Sequence, residues 1–385
     1  MNLFRTVVVL GLLMGSGSGS VSGAPPSSIP AIINHLVQTQ DTATLTDNSK
    51  ALQSVYLPNS GEAQRVYRKA LQRAAYLKDW AQARKVRFEG VSVHVRVGPI
   101  RWLSPDTVRV YGADQAAYRY RHLVGSPTLN QFGIGVYHWY TLHQREGRWY
   151  IQGDNFIDPL NQDTRLKGAA VPAVIQVSPE HRAAATLSAG AKKAIQFAEH
   201  YCGAAPGCGH NNRYHPEFSD YNWNGGDCTN FISQTLHAGG FSENDVWNGR
   251  NGGTAAWINA TRFVQYLSRS GRATVFARGT LPSLIKPGSD GLTALDQLRP
   301  GDLIAYFETG RVVHNAIVVG FDSDGYPVVI SHSADRYRVP WDLGWDRSTV
   351  YLFCHVHYPD SARSQAQAQP NNATSAVIMR VDGAR

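Results

Sequence analysis

The chain has 385 residues, 43% of them hydrophobic and 17% charged, and a formal net charge of +8. That length accommodates two domains, and that composition builds cores, which excludes global disorder. On an exported protein the positive charge favours anionic partners such as a cell-wall polymer, or is simply a basic soluble surface; it gives little reason to expect nucleic acid.

Met1 to Arg5 supplies one positive charge, Thr6 to Met14 is a short apolar run, and Gly15 to Gly23 is small and polar. The run is too short to span a bilayer well, so residues 1–23 read as a cleaved signal peptide. The mature protein is expected in the cell envelope or outside the cell, with no stable membrane span. Residues 24–60 begin rich in Pro, Ser, Thr and Asn and read as a lead-in, with at most a short turn of helix at 29–37.

Glu62 to Val86 carries Val66, Ala70, Leu71, Ala74, Leu77 and Ala81 at helical spacing. The pattern then changes to period two at Val91, Val93, Val95 and Val97. Strand-like runs recur at 107–111, 117–122 and 133–143, and the last turns back through Arg145-Glu146-Gly147 into 148–153. A helix followed by an antiparallel meander predicts an α+β roll over 61–157. The pattern resembles the cystatin-like roll of nuclear-transport-factor-type domains. Tyr118, Tyr120, Tyr137, Trp139, Tyr140, Trp149 and Tyr150 either fill the core of this curved sheet or line a cavity in it. Residues 158–187, with Pro159, Pro172 and Pro179, read as a linker, and 359–385 as a low-complexity disordered tail.

Cys202 and Cys208 bracket a turn-rich Gly-Ala-Ala-Pro-Gly loop and form a candidate disulfide, which export permits. No Cys-x-x-Cys pair exists, so the sequence indicates no metal site. Cys354 lies in an apolar run and reads as a core residue. Cys228 is different. Asp227 is a natural N-cap, Phe231, Ile232, Thr235 and Leu236 recur at helical spacing, and Gly239-Gly240 ends the helix. Cys228 therefore sits in a first turn, where unpaired N–H groups and the helix dipole favour a thiolate. The preceding Gly225-Gly226 lets a substrate approach and frees the backbone to point an N–H at an oxyanion. Taken alone, this context fits a nucleophile and a small buried cysteine equally well.

A nucleophilic cysteine needs a base. Beyond a turn and strand at 299–307, the run 312–319 carries His314, which is expected to share a face with Val312, Ala316 and Val318. The run 326–332 carries His332 on the face of Val328 and Ile330. Neighbouring antiparallel strands would set the two rings side by side, where His332 could fix the tautomer of His314. A hydrogen-bonded core histidine and a strand-end histidine are the simpler readings of each taken singly.

Taken in order, Asp227-Cys228-Thr229-Asn230-Phe231, Pro300-Gly301-Asp302-Leu303, His314-Asn315-Ala316-Ile317-Val318 and Ser331-His332 resemble the bacterial putative amidase domain family. That family is similar to papain-like cell-wall peptidases, and the resemblance covers roughly 188–358. It implies an α+β, papain-like domain in which a cysteine-bearing helix packs on an antiparallel sheet. It implies Cys228 as nucleophile, His314 as base and His332 as the polar orienting residue, with Asp335 and Asn315 in reserve. In such enzymes an upstream amide or phenol assists the oxyanion, which points to Tyr221 or Asn224, with Asp227 in support. No metal or organic cofactor is implied. The activity implied is cleavage of an amide bond through a thioacyl-enzyme, on peptide or peptidoglycan-type substrates. Acyl transfer to an amine on the same dyad, or a non-catalytic wall-binding protein, are the alternatives.

Overall fold

Among the described residues, three helices precede the first strand: α1 (Ile29–Leu45), α2 (Ser49–Gln53) and α3 (Gly61–Ala83). The computed structural model describes residues 28–156, 187–210, 213–222 and 224–359. The segments read as signal peptide, nearly all of the linker and nearly all of the tail lie outside the described residues. Four long strands follow: β1 (Val86–Ser104), β2 (Thr107–His122), β3 (Asn130–Arg145) and β4 (Arg148–Phe156). The second half contains α4 (Ala189–His200), α5 (Cys228–Ala238), α6 (Ala255–Ile258), α7 (Ala260–Arg269), β5 (Ala273–Thr280) and α8 (Leu281–Leu284). It ends with β6 (Leu303–Glu308), β7 (Arg311–Phe321), β8 (Pro327–Ser331), β9 (Asp335–Pro340) and β10 (Val350–Val356).

The segment expected to be a loose lead-in is part of the core. Ser28 caps α1 by accepting the Ala31 N–H, and Pro30 occupies the first turn, where its missing N–H costs nothing. Ile32, Ile33, Leu36 and Val37 then form one buried stripe at helical spacing. They pack with Val66 of α3 against Val108, Val110, Tyr140, Leu142 and Ile151 of the sheet. Each such fully buried side chain contributes about 1.5–3 kcal/mol of transfer free energy.

All strand pairs are antiparallel and run in the order β1-β2-β3-β9-β8-β7-β6-β10-β5, with β4 also on β3. The two halves thus share one ten-stranded sheet, in an α+β fold. The junction is the short pairing of Gly133, Ile134 and Gly135 on β3 with Tyr337, Arg336 and Asp335 on β9. A buried ion pair adds to it. Arg84, just past α3, meets Asp342 at 2.5 Å, and Asp342 also accepts from Trp80 and Tyr326.

In the second half the sheet is covered on both faces. Phe231, Ile232 and Leu236 of α5, with Ala194 and Ile195 of α4 and Phe263 of α7, cover Leu303, Ala305, Ile317, Val328 and Ile330. The opposite face carries Ile304, Tyr306, Ala316, Val318 and Val329 under Leu281, Leu295, Trp341 and Trp345. This two-sided burial explains why the strands there read as nearly unbroken apolar runs.

The loop after α4 crosses onto β3 where the sheet has glycines. A Cβ on Gly135 would lie 2.5 Å from the backbone of Ala204, and one on Gly133 would strike the Pro206 carbonyl. Gln115 of β2 donates to the Ala204 carbonyl at 3.0 Å. Gly135→Val is therefore expected to lower stability by about 1–3 kcal/mol through overpacking, measured by denaturant titration. An unchanged midpoint would show that this loop is not seated on β3.

Candidate active site

Helix α5 begins at Cys228 and ends before Gly239, with Gly240 at φ +104°, a conformation that favours glycine. Asp227 holds the N-cap position, but its carboxylate makes no capping bond to the helix. The N–H groups of Asp227 and Cys228 instead donate to the hydroxyl of Ser333, the second at 3.1 Å. Ser333 lies in the turn between β8 and β9 at φ +69°, which costs a non-glycine residue about 1–2 kcal/mol. The first turn of α5 is thus capped from across the fold. No spacing in the sequence ties Ser333 to Asp227, so this contact was not legible there.

The Asp227 carboxylate faces elsewhere. One oxygen accepts from the Tyr221 N–H at 3.0 Å and the Asn230 amide at 2.9 Å, and the other meets His332 Nδ1 at 2.6 Å. The Nε2 of His332 lies 2.7 Å from the carbonyl of Tyr201, at the end of α4. The ring is buried between Phe231 and Tyr214, with centroids at 3.8 and 4.0 Å. Both nitrogens thus face acceptors, which requires the doubly protonated ring. Burial works to lower the pKa of His332, but the hydrogen bond and charge of Asp227 outweigh it, and the net shift is upward.

This geometry corrects the role expected for His332, because neither of its nitrogens is left to orient His314. Strand register also separates the two rings. Ile317 pairs with Ile330 on the helix-covered face, and Val318 pairs with Val329 on the opposite face. His332 follows the parity of Ile330 and stacks on α5. His314 pairs with Tyr306 and packs against Tyr306 and Trp345, at 5.4 and 5.7 Å between centroids, on the other face. The physical reason is a β-bulge between Val318 and Gly320. Beyond it Gly320 pairs with Val328, but before it Val318 pairs with Val329. His314, which keeps the parity of Ala316 and Val318, and His332 therefore fall on opposite faces. A second bulge at Val313 moves only Val312 to the helix side.

Cys228 is only 8% exposed. Its sulfur lies 3.6 Å from the Thr229 hydroxyl, and the backbone N–H of Asn315, the residue after His314, works to lower its pKa. The Asn315 amide donates to the same hydroxyl at 3.0 Å. Burial pushes the thiol pKa up, more than these donors lower it. The exposed, low-pKa thiol expected from the helix start is therefore not the state of Cys228 in this structure.

The oxyanion candidates fare differently. The Tyr221 hydroxyl donates to the Gly252 carbonyl, which commits it to another loop. Asn224 is exposed, and its backbone N–H bonds the Tyr221 carbonyl at 2.8 Å. The buried amide of this loop is Asn222, which donates to the Tyr214 hydroxyl at 2.5 Å. Asp335, held in reserve as the orienting residue, accepts from Tyr214 at 2.5 Å and from the Ala204 N–H at 2.6 Å. Burial pushes its carboxyl up to about 6. It anchors the loop closed by the Cys202–Cys208 disulfide, whose Cα atoms are 5.5 Å apart. A small, partly open cleft lies beside this cluster, lined by Gly135, Tyr137, Tyr214, Asn222, Ala334 and Asp335. Among the described residues, no group of three His, Cys, Asp or Glu could hold a metal ion, and no helix is long and apolar enough to cross a membrane.

Two outcomes follow from the buried pair. His332→Ala leaves the Asp227 carboxylate without its partner and should cost about 3–5 kcal/mol, read by denaturant titration. A raised His332 pKa also sets a sign. Its contribution is complete below the ordinary histidine value and is lost as pH rises through the raised one, so wild type should lose more stability than His332→Ala across that window. Alkylation of Cys228 in the folded protein should be slow near neutrality and accelerate in alkali, followed by peptide mapping. Rapid labelling at pH 6 would contradict the buried thiol.

Over 176 residues the chain is 29% identical to the uncharacterized protein YhbB of Bacillus subtilis (strain 168). The match takes in 42% of this chain and 49% of that protein, so the chain spans about half the length of this curated relative. Among solved structures, the intermembrane space region of the chloroplast protein ARC6 is 11% identical, with 34% of this chain and 98% of that chain covered and a TM-score of 0.25. A dehydratase of the NTF2-like family from Streptomyces avermitilis is 12% identical, with 32% and 92% covered and a TM-score of 0.22. Scores this low support no inference about the present chain. The segment that carries Cys228, His314 and His332 is similar to a known family: residues 188–354 match the model of the putative amidase domain.

Proposed function

We propose that this protein is an exported cysteine amidase or peptidase that cleaves an amide bond in peptidoglycan peptides through a thioacyl-enzyme. The observation that carries the reading is the position of Cys228. It opens α5, and the Thr229 hydroxyl beside its sulfur accepts from the side-chain amide of Asn315, one residue along β7 from His314. The amidase family match over the same residues supports the bond type. The apolar run at 6–14 and the Cys202–Cys208 disulfide support export.

In this reading the buried thiol is the resting form. Substrate binding brings the scissile carbonyl to the sulfur, and its oxygen takes over the Cys228 N–H now bonded to Ser333. A rearrangement of β7 must also carry His314 from the opposite face of the sheet to the sulfur. There it accepts the thiol proton as sulfur attacks and returns it to the departing amine. The freed site admits water, His314 activates it, and the thioester is hydrolysed. Asp227 and His332 are positioning residues, since they hold the first turn of α5 and not the reacting atoms. A non-catalytic wall-binding role is the second reading. It is favoured by the burial of Cys228 and by the packing of His314 against Tyr306 and Trp345.

Purified cell walls and short peptide amides, incubated with wild type, Cys228→Ala and His314→Ala, decide between them. The amidase reading expects new amines from wild type, none above background from Cys228→Ala, and a loss of about 10²-fold or more from His314→Ala. Equal release by wild type and Cys228→Ala would overturn it. Mass analysis of products with and without an added amine separates hydrolysis from transfer.

A further inference from the structure

The aromatic residues of β2 and β3 divide between two faces. Tyr118, Tyr120 and Tyr140 point into the core, whereas Tyr111, Tyr137 and Trp139 share the outer face. Tyr111 sits opposite Trp139 in register, with centroids 4.7 Å apart, and stacks on Tyr137 at 6.0 Å with 11° between ring planes. Trp139 is 41% exposed. Gly98 on β1 makes room for this row, because a Cβ there would come within 3.0 Å of the Tyr111 ring. Hydrogen-bonding groups border it: Arg96, whose guanidinium donates to the Tyr137 hydroxyl at 3.4 Å, and the exposed Asn155 opposite Trp139.

The row leads to the candidate active site. Tyr137 lines the small cleft that Asn222 and Ala334 also line. Asn222 belongs to the loop that enters α5, and Ala334 follows Ser333, which accepts the Cys228 N–H. We propose that Tyr137, Tyr111 and Trp139 form a platform for the saccharide strand of a polysaccharide whose amide-linked substituent is presented to Cys228. This rests on the amidase reading for the identity of the substituent.

The surface chemistry selects a saccharide over an extended peptide. An added peptide strand needs an open sheet edge, but β2 is paired on both sides, by β1 and β3, and β3 at the row by β2 and β4. The row offers only side chains. Aromatic surfaces accept the C–H face of a sugar ring, while Arg96 and Asn155 are placed to bond its hydroxyl edge. The row starts at the cleft and runs away from Cys228, as a polymer bearing its substituent at one sugar requires.

The test uses the full chain in a Cys228→Ala background, which holds substrate without turnover. Wall polysaccharide freed of its peptides is the probe, with co-sedimentation or calorimetry as readout. Cys228→Ala should bind it, and adding Trp139→Ala should weaken binding about tenfold. Adding Trp102→Ala, at an exposed tryptophan on the tip of the β1–β2 hairpin, should leave it unchanged. Circular dichroism confirms that each variant is folded. Equal binding with and without Trp139, or binding only to peptide-bearing polymer, would overturn the platform. Amide release by wild type from short peptides is scored separately. If it is absent while Trp139-dependent binding persists, the activity reading falls and the platform stands.

Discussion

The buried contact between Asp227 and His332 fixes the candidate site. It joins the residue before Cys228 to the end of β8, and through the Tyr201 carbonyl to the end of α4. Both side chains are about 1% exposed, so neither charge is compensated by water. A buried pair of this kind adds little net stability compared with apolar packing, but breaking it is expensive. Its consequence here is geometric. The carboxylate that could have capped α5 is held by His332, and the first N–H groups of the helix are left to the Ser333 hydroxyl.

This arrangement describes a closed site. The sulfur is buried and protonated, the N–H available to an oxyanion is occupied, and His314 packs with Tyr306 and Trp345. Catalysis from this state requires a substrate that displaces Ser333 and a rearrangement of β7 that brings His314 to the face carrying Cys228. Bonds formed only with bound substrate are common at catalytic sites, so a resting arrangement alone does not decide the chemistry. A small cleft with Asn222 and Asp335 on its wall lies beside the loop that enters α5.

Much of this fold was legible in the sequence for simple reasons. Helix α5 has an acidic residue before its first turn, an apolar stripe and two terminal glycines, and its limits are those expected. The alternation on β1 and the hairpin from β3 to β4 were equally plain, because one face meets a core and the other does not. Helix α1 was only partly legible, since its polar flanks obscured the stripe of Ile32, Ile33, Leu36 and Val37. The bulge between Val318 and Gly320 was not legible. One extra residue leaves no periodic mark, yet it sets His314 and His332 on opposite faces of the sheet. The aromatic residues were foreseen as core or as cavity lining. The core took Tyr118, Tyr120 and Tyr140, while an outer face took Tyr137 and Trp139, as the parity of β3 dictates.

Sulfur chemistry at Cys228 is the claim on which the functional account turns, and a trapped intermediate reports on it most directly. The protein is mixed with a short peptide ester, quenched in acid within milliseconds to seconds, and digested for mass spectrometry. The account predicts an acyl group on the peptide containing Cys228, formed before free acid appears and absent from the His314→Ala protein. An acyl group on another residue, or product release with Cys228 unmodified at every time, would contradict it.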